Sequence, residues 1–179
     1  MDYAQTPLGP NAASGYQRFK APGAIYFGAS YVNFAGDHIG FVRGYNSLPN
    51  AMKAAKALCV DVSVGGPGTC VLYSLMVPSN FDGNIAGSIG LGQRVALQYQ
   101  VFLGKMRADR YGAFAISGMA GWGYATNRAT AQDATAAAMA ECESGTNRGL
   151  GGYSKASYIA SLKSLGLAKC HVVTVGTAG

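Results

Sequence analysis

Apolar and polar positions along the chain fall into two stretches with the same grammar. In the first, Ala51, Met52, Ala55 and Leu58 recur at helical spacing while Lys53 and Lys56 fall on the opposite side. Ser47 stands where an N-cap belongs and Pro49 in the first turn, so a helix is predicted from about Leu48 to Cys59. Gly65-Gly66-Pro67-Gly68 then reads as a turn, and Val71 to Val77 as a β-branched and aromatic strand. Upstream, Gly23 to Val32 and Ile39 to Tyr45 read as two antiparallel strands joined by a turn at Gly36-Asp37-His38. The first unit is thus β-β-α-β.

The second stretch repeats it. Tyr111 to Ser117 matches the strand opening at Pro22-Gly23-Ala24, and Gly121 to Asn127 matches Gly40 to Asn46. Thr130-Ala131-Gln132-Asp133 is close to a capping box and starts a helix through Ala134, Ala137, Ala138 and Met139 to Cys142. Cys170 opens the last strand, His171 to Val175. Between them Ile159, Leu162 and Leu165 share one face, which predicts a short extra helix ended by Gly166, within an insertion at about 150–166. Gly112 lies 89 positions after Gly23, and Cys142 lies 83 after Cys59, so the loops of the two units differ in length.

Two segments stand outside this pattern. Residues 1–22, with Pro7, Pro10 and Pro22, read as an extended arm, in which Tyr16 to Phe19 could add a short strand. Residues 79–110 are Gly-rich as far as Gly92. They then alternate, with Val95, Leu97, Tyr99, Val101 and Leu103 on one side and Ala96, Gln98, Gln100 and Phe102 on the other. Period two favours a strand; a helix is the alternative, because Gln, Leu and Arg are good helix formers. The expected architecture is α+β: an arm (1–22), a first unit (23–78), a linker with a strand (79–110) and a second unit (111–179). The two units would form a pseudo-symmetric pair sharing one sheet or core.

Composition narrows the function classes. Apolar residues make up 49% of the 179, enough for a core, whereas charged residues are 12%, about half the usual share. Gly numbers 26 and Tyr 11, against one Trp. Such a surface suits extracellular proteins and subunits that bury much of themselves in an assembly. The net charge is +6, but the basic residues are scattered, and Asp109 interrupts the tightest group, Lys105 to Arg110. That scatter argues against nucleic acid and for solubility, with some attraction to acidic partners or envelope surfaces. No apolar run reaches the length of a membrane span, and Met1 to Pro7 reads as a mature start with any leader removed.

Four cysteines suit two disulfides in an oxidising compartment. Each unit has one at a helix end and one at a strand start, so Cys59–Cys70 and Cys142–Cys170 would each staple helix to sheet. A four-thiolate zinc site would need close Cys-x-x-Cys pairs, which are absent; free thiols are the other alternative.

Catalytic patterns are weak. Asp37-His38 is half of a dyad, but Ser88 and Ser117 are isolated and there is no Gly-x-Ser-x-Gly elbow. His171 takes the place of Val71, a strand position. The carboxylates Asp2, Asp37, Asp61, Asp82, Asp109, Asp133, Glu141 and Glu143 show no facing pair. Gly83 to Arg94 invites a phosphate-loop reading but lacks Gly-Lys-Ser/Thr. No catalytic residue, metal ligand or cofactor is therefore expected. The tyrosines exceed what two small cores can hold, and tyrosine suits interfaces. The candidate interface residues are Tyr3, Tyr16, Phe19, Tyr31, Tyr45, Tyr99, Trp122 and Tyr124; half-buried sheet positions are the alternative.

The second unit, through Tyr111 to Ser117, Gly121 to Tyr124, Ala134 to Cys142 and Cys170 to Val175, resembles a small secreted family of mycobacteria and proteobacteria known only as a domain of unknown function. The first unit matches it more loosely, and the matches cover about half the chain. The resemblance implies an exported, disulfide-bearing domain with no established catalytic residues. The expectation is a non-catalytic protein, secreted, periplasmic or on the cell surface, acting through contacts with itself or with another protein. A self-associating subunit is favoured over a soluble binder such as an inhibitor, immunity-type protein or host-directed effector. A hydrolase is the remote third.

Overall fold

A computed structural model describes residues 6–20, 26–63, 69–78, 93–119 and 121–178. The first half holds α1 (Pro10–Phe19), β1 (Phe27–Asn33), β2 (His38–Tyr45), α2 (Leu48–Val62) and β3 (Cys70–Met76). The second holds α3 (Gln93–Lys105), β4 (Tyr111–Ser117), β5 (Trp122–Arg128), α4 (Ala131–Leu150), α5 (Ala156–Ser164) and β6 (Cys170–Gly176). The protein is mixed α+β. Its strands form two antiparallel sheets, ordered β2-β1-β3 and β5-β4-β6, so no single sheet is shared among the described residues.

The helix starts follow from their caps. The Ser47 hydroxyl accepts from the Asn50 backbone N–H at 3.4 Å, and Thr130 does the same from Asp133 at 3.1 Å. Behind each cap a row of alanines faces the sheet: Ala51, Ala54 and Ala55 in α2, Ala134 and Ala138 in α4, all fully buried. Small side chains let each helix settle close onto its strands. At Gly40 of β2 and Gly123 of β5 the approach is closest, leaving no room for a side chain against the backbone of Ala55 and Cys59, or of Ala138 and Cys142.

The structure corrects two expectations. Residues 10–19 are helical, not extended. Pro10 opens the helix, and Ala12, Gly15, Tyr16 and Phe19 form its buried stripe. Residues 93–105 are also helical, not a strand. Val95, Tyr99 and Phe102 satisfy helical spacing as well as the alternation did, and packing decides between the two. The face of the second sheet turned away from α4 carries Phe114, Ile116, Trp122 and Tyr124 and needs a cover; α3 supplies it. On the first sheet α1 lays Tyr16 and Phe19 against Phe41, Tyr73 and Met76. Each sheet therefore lies between two helices.

Smaller differences are also instructive. The helix predicted to stop at Cys142 continues to Leu150. In the inserted helix Tyr158 and Leu162 face inward, while Leu165 is exposed and lies just past the helix end. The first strand starts at Phe27; its expected start at Gly23 and the Gly65–Gly68 turn lie outside the described residues.

The register shows which positions correspond. Ala29 pairs with Val42 and Leu75; Ala113 pairs with Ala125 and Val175. Both central strands carry an irregularity just before that alanine and another two residues on. Gly112 thus takes the place of Gly28, not of Gly23, and Gly123, not Gly121, that of Gly40. With this register the spacing is almost constant: 83 positions from Gly40 to Gly123, Ser47 to Thr130 and Cys59 to Cys142, and 84 from Gly28 to Gly112. It extends to the covering helices, where Tyr16 and Tyr99, and Phe19 and Phe102, are also 83 apart.

The two halves interlock. The β4–β5 hairpin places Met119 in the core beneath α2, and the buried Asn46 amide donates to the Ser117 carbonyl at 3.1 Å. Helix α5 lies on α2, with Leu162 fully buried and the Tyr158 hydroxyl donating to the Ala54 carbonyl at 3.1 Å. One core is therefore shared between the halves although no sheet is.

Candidate interaction surface

All four cysteines are bridged, Cys59 to Cys70 and Cys142 to Cys170, with Cα–Cα distances of 6.1 and 6.2 Å. Each bridge ties a core helix to an outer strand. A hydroxyl accompanies each: Ser63 Oγ lies 3.5 Å from Cys70 Sγ, and Thr146 Oγ1 3.6 Å from Cys170 Sγ. The bridges belong with an oxidising compartment, and no helix of the described residues is long and apolar enough to cross a membrane.

The residues with chemical potential are occupied and dispersed. The Asp37 carboxylate accepts from the backbone N–H groups of Asn11 at 2.9 Å and Ala12 at 3.0 Å, capping α1 from a distance. Those two N–H groups, Ala12 first, hold its carboxyl below the usual carboxylate range. Neighbouring His38 pairs across the hairpin with Asn33, and His171 sits opposite Ile116. Ser117 Oγ is buried and accepts from Thr146 Oγ1 at 3.0 Å.

Among the carboxylates, Asp61 faces Lys155 at 3.4 Å, Glu141 accepts from the Tyr124 backbone N–H at 2.8 Å, and Asp133 belongs to the α4 cap. Asp2, Asp82, Ser88 and the glycines of Gly83 to Gly92 lie outside the described residues. No group of three metal-ligating side chains forms among those described.

A small cleft of about 180 Å³ opens between the halves, with Arg43, Tyr45, Thr146 and Tyr153 in its wall. The Tyr45 hydroxyl is buried, and no neighbour meets hydrogen-bond geometry with it, although Tyr153 and Tyr158 are close enough to bear on its ionisation. Burial, chiefly, pushes the phenols of both Tyr45 and Tyr158 far up.

The aromatic residues expected at an interface are mostly core. Tyr16, Phe19, Tyr31 and Tyr45 are buried. Tyr99, Trp122 and Tyr124 are half-buried in a stack with Phe102 and Phe114, with ring centroids 5.1 to 6.4 Å apart. Tyr3 lies outside the described residues. Helices α1 and α3 create two further apolar layers, and these take up Tyr16, Phe19, Tyr99 and Tyr124.

Among the described residues the most exposed large apolar side chain lies on α3. Leu97 is 58% exposed and Val101 43%, one turn apart on the side of α3 opposite Val95, Tyr99 and Phe102; Leu103, at 44%, is exposed on a different side of the helix, next to Tyr99. Helix α1, in the same position on its own sheet, carries exposed Ser14, Arg18 and Lys20 at the three corresponding places. The helical wheel of 93–105 contains this signal, once the segment is known to be a helix.

Compared with protein-family models, with curated proteins and with solved structures, the chain matches none.

Proposed function

We propose that the chain is a tandem duplication of an α-β-β-α-β unit of about 83 residues, exported and bridged once per unit, and that it works without catalysis by presenting surface to a partner. The constant spacing supports the duplication, since it joins the covering helices, both glycine contacts, both caps and both first cysteines. On this reading the arm and the linker helix are one element in two copies. The first cysteine pair spans 11 positions and the second 28, the extra length holding α5. Export is supported by the paired cysteines.

One observation carries the binding role. The outer side of α3 carries Leu97 and Val101 where that of α1, held in the same frame, carries Ser14 and Arg18. Helix packing does not require Leu97 or Val101, since Ser14 and Arg18 serve in the other copy. A soluble binder is favoured over a self-associating subunit because α1 folds back onto its own sheet and is not free to pair with a neighbour. A photo-cross-linking residue at position 97, compared with one at 14, tests this in the native host. Adducts at 97 and none at 14 are expected; equal labelling, or none, overturns it.

Self-association has one observation in its favour. Strands β3 and β6 are the outer strands of their sheets, and Cys70–Met76 and Cys170–Gly176 contain no proline and no Lys, Arg, Asp or Glu to discourage pairing. Light scattering separates the readings: a monomer at all concentrations removes the second.

A further inference from the structure

We infer that the Leu97–Val101 ridge of α3 and the cations that follow it form a docking surface for an anionic lipid bilayer. This rests on the surface-presenting role proposed above and names the partner.

The ridge is exposed and aliphatic. It lacks an exposed Trp or Tyr of the kind that anchors a protein interface. Leu97 and Val101 have the character of side chains that settle at the boundary of headgroups and acyl chains. Beyond them come Lys105, the last residue of α3, and Arg107 and Arg110, the two ends of the short turn closed by their bridge; all three are exposed. Asp109 is the one acid in this stretch, and Arg110 already lies 3.8 Å from it. The lysine is fixed, its Nζ 2.8 Å from the Tyr124 hydroxyl and over the same ring.

An apolar strip leading into cations complements a surface of anionic headgroups over hydrocarbon. A second copy is a poor occupant, because it would bring the same cations, Lys105, Arg107 and Arg110, to the contact. A zwitterionic bilayer would leave the cations unmatched.

The test is co-sedimentation of the intact, oxidised protein with vesicles of phosphatidylcholine, with and without phosphatidylglycerol. Binding is expected only to the anionic vesicles, and it should weaken as salt is raised. Replacing Arg107 and Arg110 by glutamine should cut the partition about 25-fold, at about fivefold per basic residue. Replacing Leu97 by serine and Val101 by glutamine leaves the charge unchanged and should cut it roughly tenfold. Both residues are exposed, so the unfolding midpoint should stay in place.

Equal partition onto both vesicle types, none onto either, or full binding by the Leu97→Ser/Val101→Gln variant overturns the inference. A cross-link at 97 to protein, in host cells where vesicle binding fails, also overturns it and leaves the broader binding role standing. A dimer abolished by Leu97→Ser would assign the ridge to a second copy and equally overturn it.

Discussion

Gly123 in β5 lies directly against the backbone of Cys142 in α4, so close that one methyl group would collide with the Cys142 amide and the Ala138 carbonyl. Gly40 meets Cys59 and Ala55 in the same way. Each disulfide therefore starts where its helix touches its sheet.

Alanine at either glycine should be expensive. The obstructing atoms are backbone, which cannot rotate aside, so Gly40→Ala and Gly123→Ala should each destabilise by about 1–3 kcal/mol or more. Gly104 is the control: it stands in helix α3 with nothing within 4 Å of a built Cβ, and Gly104→Ala should stabilise by about 0.5–1 kcal/mol. Urea unfolding of the three variants decides it; equal effects would mean the close approach is absent.

The two bridges should differ in weight. They span 11 and 28 positions, and in the chain-entropy model these loops correspond to about 2.8 and 3.6 kcal/mol. Paired Cys→Ser variants should therefore show the larger loss for Cys142–Cys170, measured as the shift in urea midpoint.

Asp37 should make the docking of α1 depend on acid. Its carboxyl is held below its ordinary value by the Ala12 and Asn11 N–H groups. A group with a lowered folded pKa stabilises above its unfolded value, about 3.9, and loses that contribution as pH falls through the folded one. Amide exchange over residues 10–19 should quicken in Asp37→Ala at neutral pH, and in the native protein only in strong acid. Unchanged exchange in the variant would show that the apolar stripe of α1 suffices.

Two buried phenols should respond in opposite ways to loss of the hydroxyl. Tyr158→Phe gives up the bond to the Ala54 carbonyl and should cost about 1 kcal/mol. Tyr45→Phe removes a buried hydroxyl with which no neighbour among the described residues meets hydrogen-bond geometry, and should be neutral or stabilising. Thermal unfolding of both variants checks the pair; a clear loss for Tyr45→Phe would indicate a partner for that hydroxyl, such as a bridging water.

The parts of this protein legible in its sequence are those decided by near neighbours. Ser47 and Thr130 cap helices through a bond three residues on, alanines at helical spacing mark the buried sides of α2 and α4, and cysteines at a helix end and a strand start fall within bridging distance once both elements form. Stretches 10–19 and 93–105 were not decided that way. Val95 to Leu103 fits period two and period 3.6 alike, and the arm's prolines hid a stripe of Ala12, Tyr16 and Phe19. Only the uncovered aromatic face of each sheet selects the helix, because burying Phe41 and Tyr73, or Phe114 and Tyr124, outweighs the local preference. The exposed ridge follows from the same choice: Leu97 and Val101 become surface when Val95, Tyr99 and Phe102 turn inward, and no property of the residues taken singly distinguishes the two sets.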